Sequence, residues 1–150
     1  KDMGVKVLRN SLHKIARGED ELYIGGIDDP LARGYAYNGK EVVDEQITKA
    51  LGGVEGFKIL LSHRPEMFPV YVSKGVDLTF SGHAHGGQIR LPFIGGLFAP
   101  GQGFFPKYTS GAFEEKASVM VVSRGLGNSV MPLRIFNPPE VVVVTITNTP

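Results

Sequence analysis

Cysteine is absent from this chain, which excludes disulfides and thiolate metal ligands and leaves the redox compartment open. A charge imbalance is nearly absent as well. Sixteen basic residues against 15 acidic ones leave a net charge of +1, with no polybasic arm, so no nucleic-acid partner is expected. No apolar run approaches the roughly 18 residues of a membrane span. Between Gly86 and Phe113 aspartate and glutamate are missing altogether, and Arg90 and Lys107 carry the charges of that stretch. What remains is enough for a folded unit. The length of 150 residues fits one ordinary domain, and a hydrophobic content of 42% argues against wholesale disorder. No repeat, low-complexity tract or strong interior boundary divides the chain.

Periodicity predicts a layered arrangement. Residues 5–9 alternate apolar with basic and read as a strand, followed by a turn at Asn10-Ser11 and a short broken segment from Leu12 to Ala16. Residues 22–27 read as a strand ended by Asp28-Asp29-Pro30. In residues 41–51, Val43, Ile47, Ala50 and Leu51 share a helical face, and Gly52-Gly53 stops it. Strands are predicted at 57–61 and 76–80, with a helical turn or helix from about Pro65 to Lys74 between them. Strand signals return at 118–122, 133–136 and 141–146. This alternation predicts an α/β or α+β fold with some parallel pairing.

Three of the four histidines lie in loops after two of those strands. The loops read Ser62-His63-Arg64-Pro65 and Ser81-Gly82-His83-Ala84-His85-Gly86-Gly87. In open α/β sheets, ligands bind beyond the carboxyl ends of the strands. Residues two apart on an extended chain lie on one face, about 6.5 Å apart. His83 and His85 can thus point the same way without sharing an ion, which suits two ions roughly 3.5–4 Å apart. Imidazole suits Zn, Mn and Fe alike, so ligand type does not choose the metal.

Blander readings exist for each residue. A glycine-rich turn with solvated imidazoles fits the His-x-His spacing. A cupin site uses it too, but needs a glutamate a few residues later, and here the next acidic residue is Glu114. Arg64 reads as a surface cation or as a fork for a substrate phosphate. Asp28 and Asp29 read as turn residues before Pro30, and His13 as an ordinary surface or half-buried histidine.

Taken in order, Ile24-Gly25-Gly26-Ile27-Asp28-Asp29-Pro30, Ser62-His63-Arg64-Pro65-Glu66, Gly82-His83-Ala84-His85-Gly86-Gly87-Gln88 and Ser123-Arg124-Gly125-Leu126-Gly127 resemble the calcineurin-like metallophosphoesterase superfamily. The resemblance is closer to a bacterial and archaeal branch, often membrane-associated or exported. It implies a four-layer α/β/β/α sandwich with a mixed sheet and flanking helices. The implied activity is hydrolysis of phosphomonoesters or phosphodiesters by metal-bound hydroxide, with two divalent ions such as Mn, Fe or Zn as cofactors. Carried over residue by residue, His63 and His83 bind one ion and His85 the other, with Arg64 as a candidate for substrate binding. The implied partners are phosphoester substrates, lipid-linked ones among them, and the implied location is membrane-associated or extracytoplasmic.

The chain departs from the family in one large respect. The family's Asp-x-His, Gly-Asp-x-x-Asp and Gly-Asn-His-Asp/Glu motifs have no counterpart in residues 1–150. They would supply the bridging aspartate, further ligands and the histidine proposed to protonate the leaving group. The expectation is therefore a single partial domain, the C-terminal half of a metallophosphoesterase domain, with no catalytic residue of its own and the N-terminal half as its partner. Three neutral imidazoles without carboxylates cradle two dications poorly. The isolated chain is expected to bind at most one ion weakly, to hydrolyse phosphate esters negligibly, and to self-associate through apolar surface. Two alternatives are a non-catalytic interaction or assembly domain and a single-metal binding module. The apolar residues Phe93, Ile94, Leu97, Phe98, Phe104 and Phe105 either meet lipid or simply cover the sheet.

Overall fold

Short apolar runs closed by glycine, aspartate or proline fold into one six-stranded mixed sheet. The computed structural model describes residues 3–34, 39–128 and 133–147. Strands β1 (Ser11–Arg17) and β2 (Asp20–Gly26) form an antiparallel hairpin. A 3-10 turn at Pro30–Arg33 and helix α1 (Lys40–Leu51) lead to β3 (Phe57–Leu61), which lies parallel to β2. A second 3-10 turn, Pro65–Met67, runs into helix α2 (Phe68–Ser73), and β4 (Leu78–Ser81) follows, parallel to β3. Two small hairpins come next, β5 (Arg90–Leu91) with β6 (Gly95–Gly96) and β7 (Phe98–Ala99) with β8 (Gly103–Phe104). Strands β9 (Gly111–Glu115) and β10 (Ser118–Val122) complete the sheet in the order β1-β2-β3-β4-β10-β9. The inner four strands are mutually parallel, and the two edges are antiparallel.

The helices cover one face. Val43, Ile47, Ala50 and Leu51 recur at helical spacing along α1 and are buried with Phe68, Tyr71 and Val72 of α2 against Leu60, Met120 and Val122 of the sheet. Because side chains alternate along a strand, the neighbours of those sheet residues form a second cluster on the other face: Ile59, Leu78 and Val121, with Leu22, Ile24, Phe80 and Val119 packed beside them. Among the described residues no helix is long and apolar enough to cross a membrane.

Four sequence expectations are corrected. Residues 5–8 join no ladder, and the first strand is Ser11–Arg17, where a turn and a broken segment were expected. Leu8 borders a surface hollow with Gly26, Leu61 and Phe80, so this segment crosses the open sheet face instead of extending its edge. Residues 133–136 contribute a single bridge, Ile135 to Ile89, and residues 141–146 form no ladder. Val141 and Val142 border another hollow with Phe80 and Val121, on the same open face. The alternation in both end segments is that of strands, but alternation reports which face is apolar and not whether a hydrogen-bonding neighbour exists.

Candidate metal centre

Parallel pairing brings two histidines together by simple register. Leu61 of β3 pairs with Phe80 of β4, and the Ser62 N–H continues the ladder to the Phe80 carbonyl at 3.1 Å. His63 and His83 each lie two residues beyond the end of their strand, so adjacent strands deliver them side by side. Their ring centroids are 4.4 Å apart with planes tilted by 56°. The loops after β2 and β10 open at the same carboxyl edge, which is where an α/β sheet binds its ligands.

The ring environment favours neutral imidazole. Burial pushes the His83 pKa down to about 4, with His63 beside it working in the same direction. Burial also lowers His63, although Asp29 opposes the shift. His85 is lowered by burial and by Arg134, and its Nδ1 is buried without a hydrogen-bond partner. His85 also disfavours charge on both other rings, which puts it within electrostatic reach of the pair. Metal ligation needs deprotonated nitrogens, so all three rings are in the form that binds a cation at neutral pH.

Each histidine loop has its own support. The Asp29 carboxylate takes Nε and Nη2 of Arg64 at 2.9–3.2 Å and the Leu31 N–H at 2.8 Å. Burial works against its charge, but these bonds outweigh burial and hold the Asp29 pKa below the usual carboxylate value. The other guanidinium arm reaches Glu66 at 3.4 Å, whose own pKa is raised by burial. Tyr71 donates to the Arg64 carbonyl at 2.6 Å and lies 2.6 Å from the Ser62 hydroxyl, so the backbone on both sides of His63 is tied to helix α2. Arg64 is 1% exposed. Its burial overturns the reading of Arg64 as a surface cation, and with Nε and Nη2 on Asp29 the guanidinium braces the His63 loop. Asp29 shapes the turn before Pro30, as expected, and its second oxygen also stands 4.0 Å from His63 Nε2. His13 lies on β1, with Nδ1 2.8 Å from Lys6 Nζ.

The second loop is held in an uncommon conformation. His83 and His85 have φ of +64° and +45°, and Gln88 has +60°, in the left-handed region that side-chain-bearing residues rarely occupy. Gly87 lies so close to Gly96 of the first small hairpin that a Cβ there would run into the Gly96 backbone. The long acid-free segment therefore starts as a buttress of the histidine loop. Its outer residues Phe93, Ile94, Phe104 and Phe105 face solvent, while Ala99 and Tyr108 join the helix-side core. Asn137, which no motif singled out, is hydrogen-bonded to the loop backbone from 52 residues away.

The residues present fit the histidine share of a metal centre. Imidazole nitrogens are good ligands for several transition ions, the His63–His83 pair is close, and the orphaned His85 nitrogen is directed at no protein acceptor or donor. Among the described residues no group of three His, Asp or Glu side chains closes into a ready ligand shell. The nearest carboxylate, Asp29, is already committed to Arg64.

No family model and no solved structure matches the chain. Several curated proteins do. The chain is 41% identical over 93 residues to the "uncharacterized metallophosphoesterase YkuE" of Bacillus subtilis (strain 168), covering 62% of this chain and 32% of that protein. It is 32% identical over 149 residues to an "uncharacterized metallophosphoesterase" of Aquifex aeolicus (strain VF5), covering 93% of this chain and 52% of the relative. It is 33% identical over 98 residues to the "UDP-2,3-diacylglucosamine pyrophosphatase LpxG" of Chlamydia muridarum (strain MoPn / Nigg), covering 57% of this chain and 28% of that protein. The chain thus spans at most about half the length of these relatives.

Proposed function

We propose, because this chain belongs to the calcineurin-like metallophosphoesterase superfamily, that it carries the histidine side of a two-metal centre for phosphoester hydrolysis. The observation that carries this reading is the His63–His83 pair, 4.4 Å apart at the carboxyl edge of the parallel strands, with His85 two residues on. In this reading His63 and His83 hold one divalent ion and His85 the other. When bound, such ions lower the pKa of water toward neutrality and neutralise phosphoryl oxygens. The chain's own part is to present neutral imidazoles and to fix them through Asp29, Arg64 and Tyr71, with the Asp29 charge offset by the Arg64 guanidinium. Its three imidazoles do not suffice for two dications, so residues 1–150 alone should hold at most one ion weakly and turn over negligibly.

A lipid-linked phosphoester is the substrate class that two observations favour. The name of the Chlamydia muridarum relative states a diacylated substrate. The hairpins next to the histidine loop expose Phe93, Ile94, Phe104 and Phe105 in a segment without acidic residues, a surface compatible with acyl chains and an anionic headgroup.

The test uses the full-length protein. Metal content and hydrolysis of bis(4-nitrophenyl) phosphate are measured for the parent, His83→Ala and His85→Ala. Each variant should lose metal and at least about 100-fold in kcat/KM, more than loss of an outer-shell partner gives. Unchanged metal content and turnover would refute the site and leave a non-catalytic domain. An acylated phosphodiester should be preferred over its short-chain analogue, and Phe104→Ser with Phe105→Ser should erase that preference. A parent without any preference would remove the lipid-linked class.

A further inference from the structure

We infer that Asn137 is a positioning residue that sets the direction of His85. The inference rests on the reading of His85 as a metal ligand. Asn137 is 2% exposed, and its Nδ2 donates to the His85 carbonyl at 2.6 Å and to the Gln88 carbonyl at 3.1 Å. These two carbonyls bracket the 3-10 turn that carries the histidine, His85–Gly87. Two acceptors on one amide group decide which end of the side chain faces the turn. Gly86 lies between them at φ +67°, and a Cβ there would fall on Asn137 Oδ1, so the amide is seated directly on the turn. Arg90 adds the remaining hold, with Nη1 donating to the Gly86 carbonyl at 2.9 Å. The carbonyls of His85, Gly86 and Gln88 are thus each tied to a side chain.

The clamp answers a local need. His85, Gly86, Gly87 and Gln88 are four successive residues at positive φ, of +45°, +67°, +79° and +60°. Such a run costs free energy at the His and Gln positions and persists where the surroundings over-determine it. Asn137 is brought there by a parallel bridge between Ile89 and Ile135 and by the Arg90 N–H bonded to the Ile135 carbonyl at 2.9 Å. Its Oδ1 is buried without a partner. The value of Asn137 is geometric: it holds the backbone that aims the His85 ring, whose Nδ1 makes no hydrogen bond.

The test again uses the full-length protein, with Asn137→Asp, Asn137→Ala and His85→Ala. The Asp variant keeps the volume but sets oxygen against two carbonyl oxygens. In metal-free protein, imidazole 1H–15N spectra of Asn137→Asp should shift His85 while leaving His63 and His83 in place. In a Mn(II) or Co(II) titration, the Asn137 variants should weaken binding of one equivalent by about 10–100-fold, the range for residues that orient a ligand. His85→Ala should weaken the same equivalent. If His85→Ala lowers affinity and both folded Asn137 variants bind as the parent does with an unshifted His85, the inference falls and the metal reading stands. If His85→Ala leaves metal binding unchanged, both fall. Should neither variant fold, the parent supplies the answer: the Asn137 side-chain amide protons should be protected from solvent exchange, and free exchange would overturn the clamp.

Discussion

Asp29 and Arg64 form a partly buried ion pair beneath the histidine pair, and its worth depends on both partners being present. Removing one side of such a pair leaves a buried charge uncompensated, at a cost of about 3–5 kcal/mol. Asp29→Ala should therefore lower the unfolding free energy by that much in a denaturant titration, since Arg64 is 1% exposed and its contact to Glu66, at 3.4 Å, is longer than those to Asp29. A change under about 1 kcal/mol, the scale of an exposed pair, would mean that Arg64 turns outward and is available to a phosphate after all. The imidazoles carry a pH prediction of their own. In metal-free protein burial, with His63 alongside, pushes the folded His83 pKa down to about 4, whereas the unfolded chain keeps the ordinary imidazole value of 6.5. Between those values the unfolded state binds more protons, so folding stability falls as pH drops through that window and is complete above it. His63, lowered by burial as well, acts in the same direction. Equilibrium unfolding at pH 7.5, 6.0 and 5.0 should show a declining midpoint, and His83→Ala should flatten the decline. A parent profile already flat would refute the buried, neutral ring.

At the scale of elements, the histidine loops are legible in the sequence because their cause is local. A short strand ends, and the histidine stands two positions later, so strand adjacency alone aligns His63 with His83. Helix α1 is legible for the same reason, through the spacing of Val43, Ile47, Ala50 and Leu51. The supports are not legible. Arg64 and Asp29 are 35 positions apart, and Asn137 and His85 are 52 apart, so no periodicity links them. Strand β1 escapes detection because it is an edge strand with mostly exposed side chains, where alternation of burial is weak. The small hairpins β5–β8 are two-residue ladders inside a glycine-rich stretch and leave almost no pattern to read. They matter nonetheless, because Gly87 packs against Gly96 and the Leu97 N–H bonds the Ile89 carbonyl at 2.8 Å. Gly87→Ala would drive a methyl group into the Gly96 backbone at a position with φ of +79°. Overpacking typically costs about 1–3 kcal/mol, and the left-handed conformation adds to it. The variant should lose stability by at least that much and bind metal more weakly, whereas Gly127→Ala, with open space around it, should do neither. Equal behaviour of the two in thermal unfolding and metal titration would separate the hairpins from the site.

At the scale of the whole molecule, the two sheet faces are unequal. Helices α1 and α2 bury one face, while among the described residues the other is crossed by the irregular segments containing Leu8 and Val142, with Phe57 and Leu61 still exposed. The valine-rich segment at 141–146 alternates, with Val142 and Val144 less exposed than Val141 and Val143, yet no ladder partners it among the described residues. An extended apolar segment with unpaired backbone groups is a template for another strand. The Aquifex relative is about twice the length that this chain covers. The four-layer arrangement that the family resemblance implies would use this face for its second sheet. Expressed alone, residues 1–150 should then associate in a concentration-dependent way at about 100 μM, within the range where exposed strand edges drive assembly, and Val141→Lys with Val143→Lys should shift the population toward monomer. The full-length protein, with that face covered, should respond to the same substitutions by losing stability instead of by dissociating. Sedimentation equilibrium on both forms decides the matter: a strictly monomeric 150-residue chain, unaffected by the lysines, would mean that the open face needs no second layer.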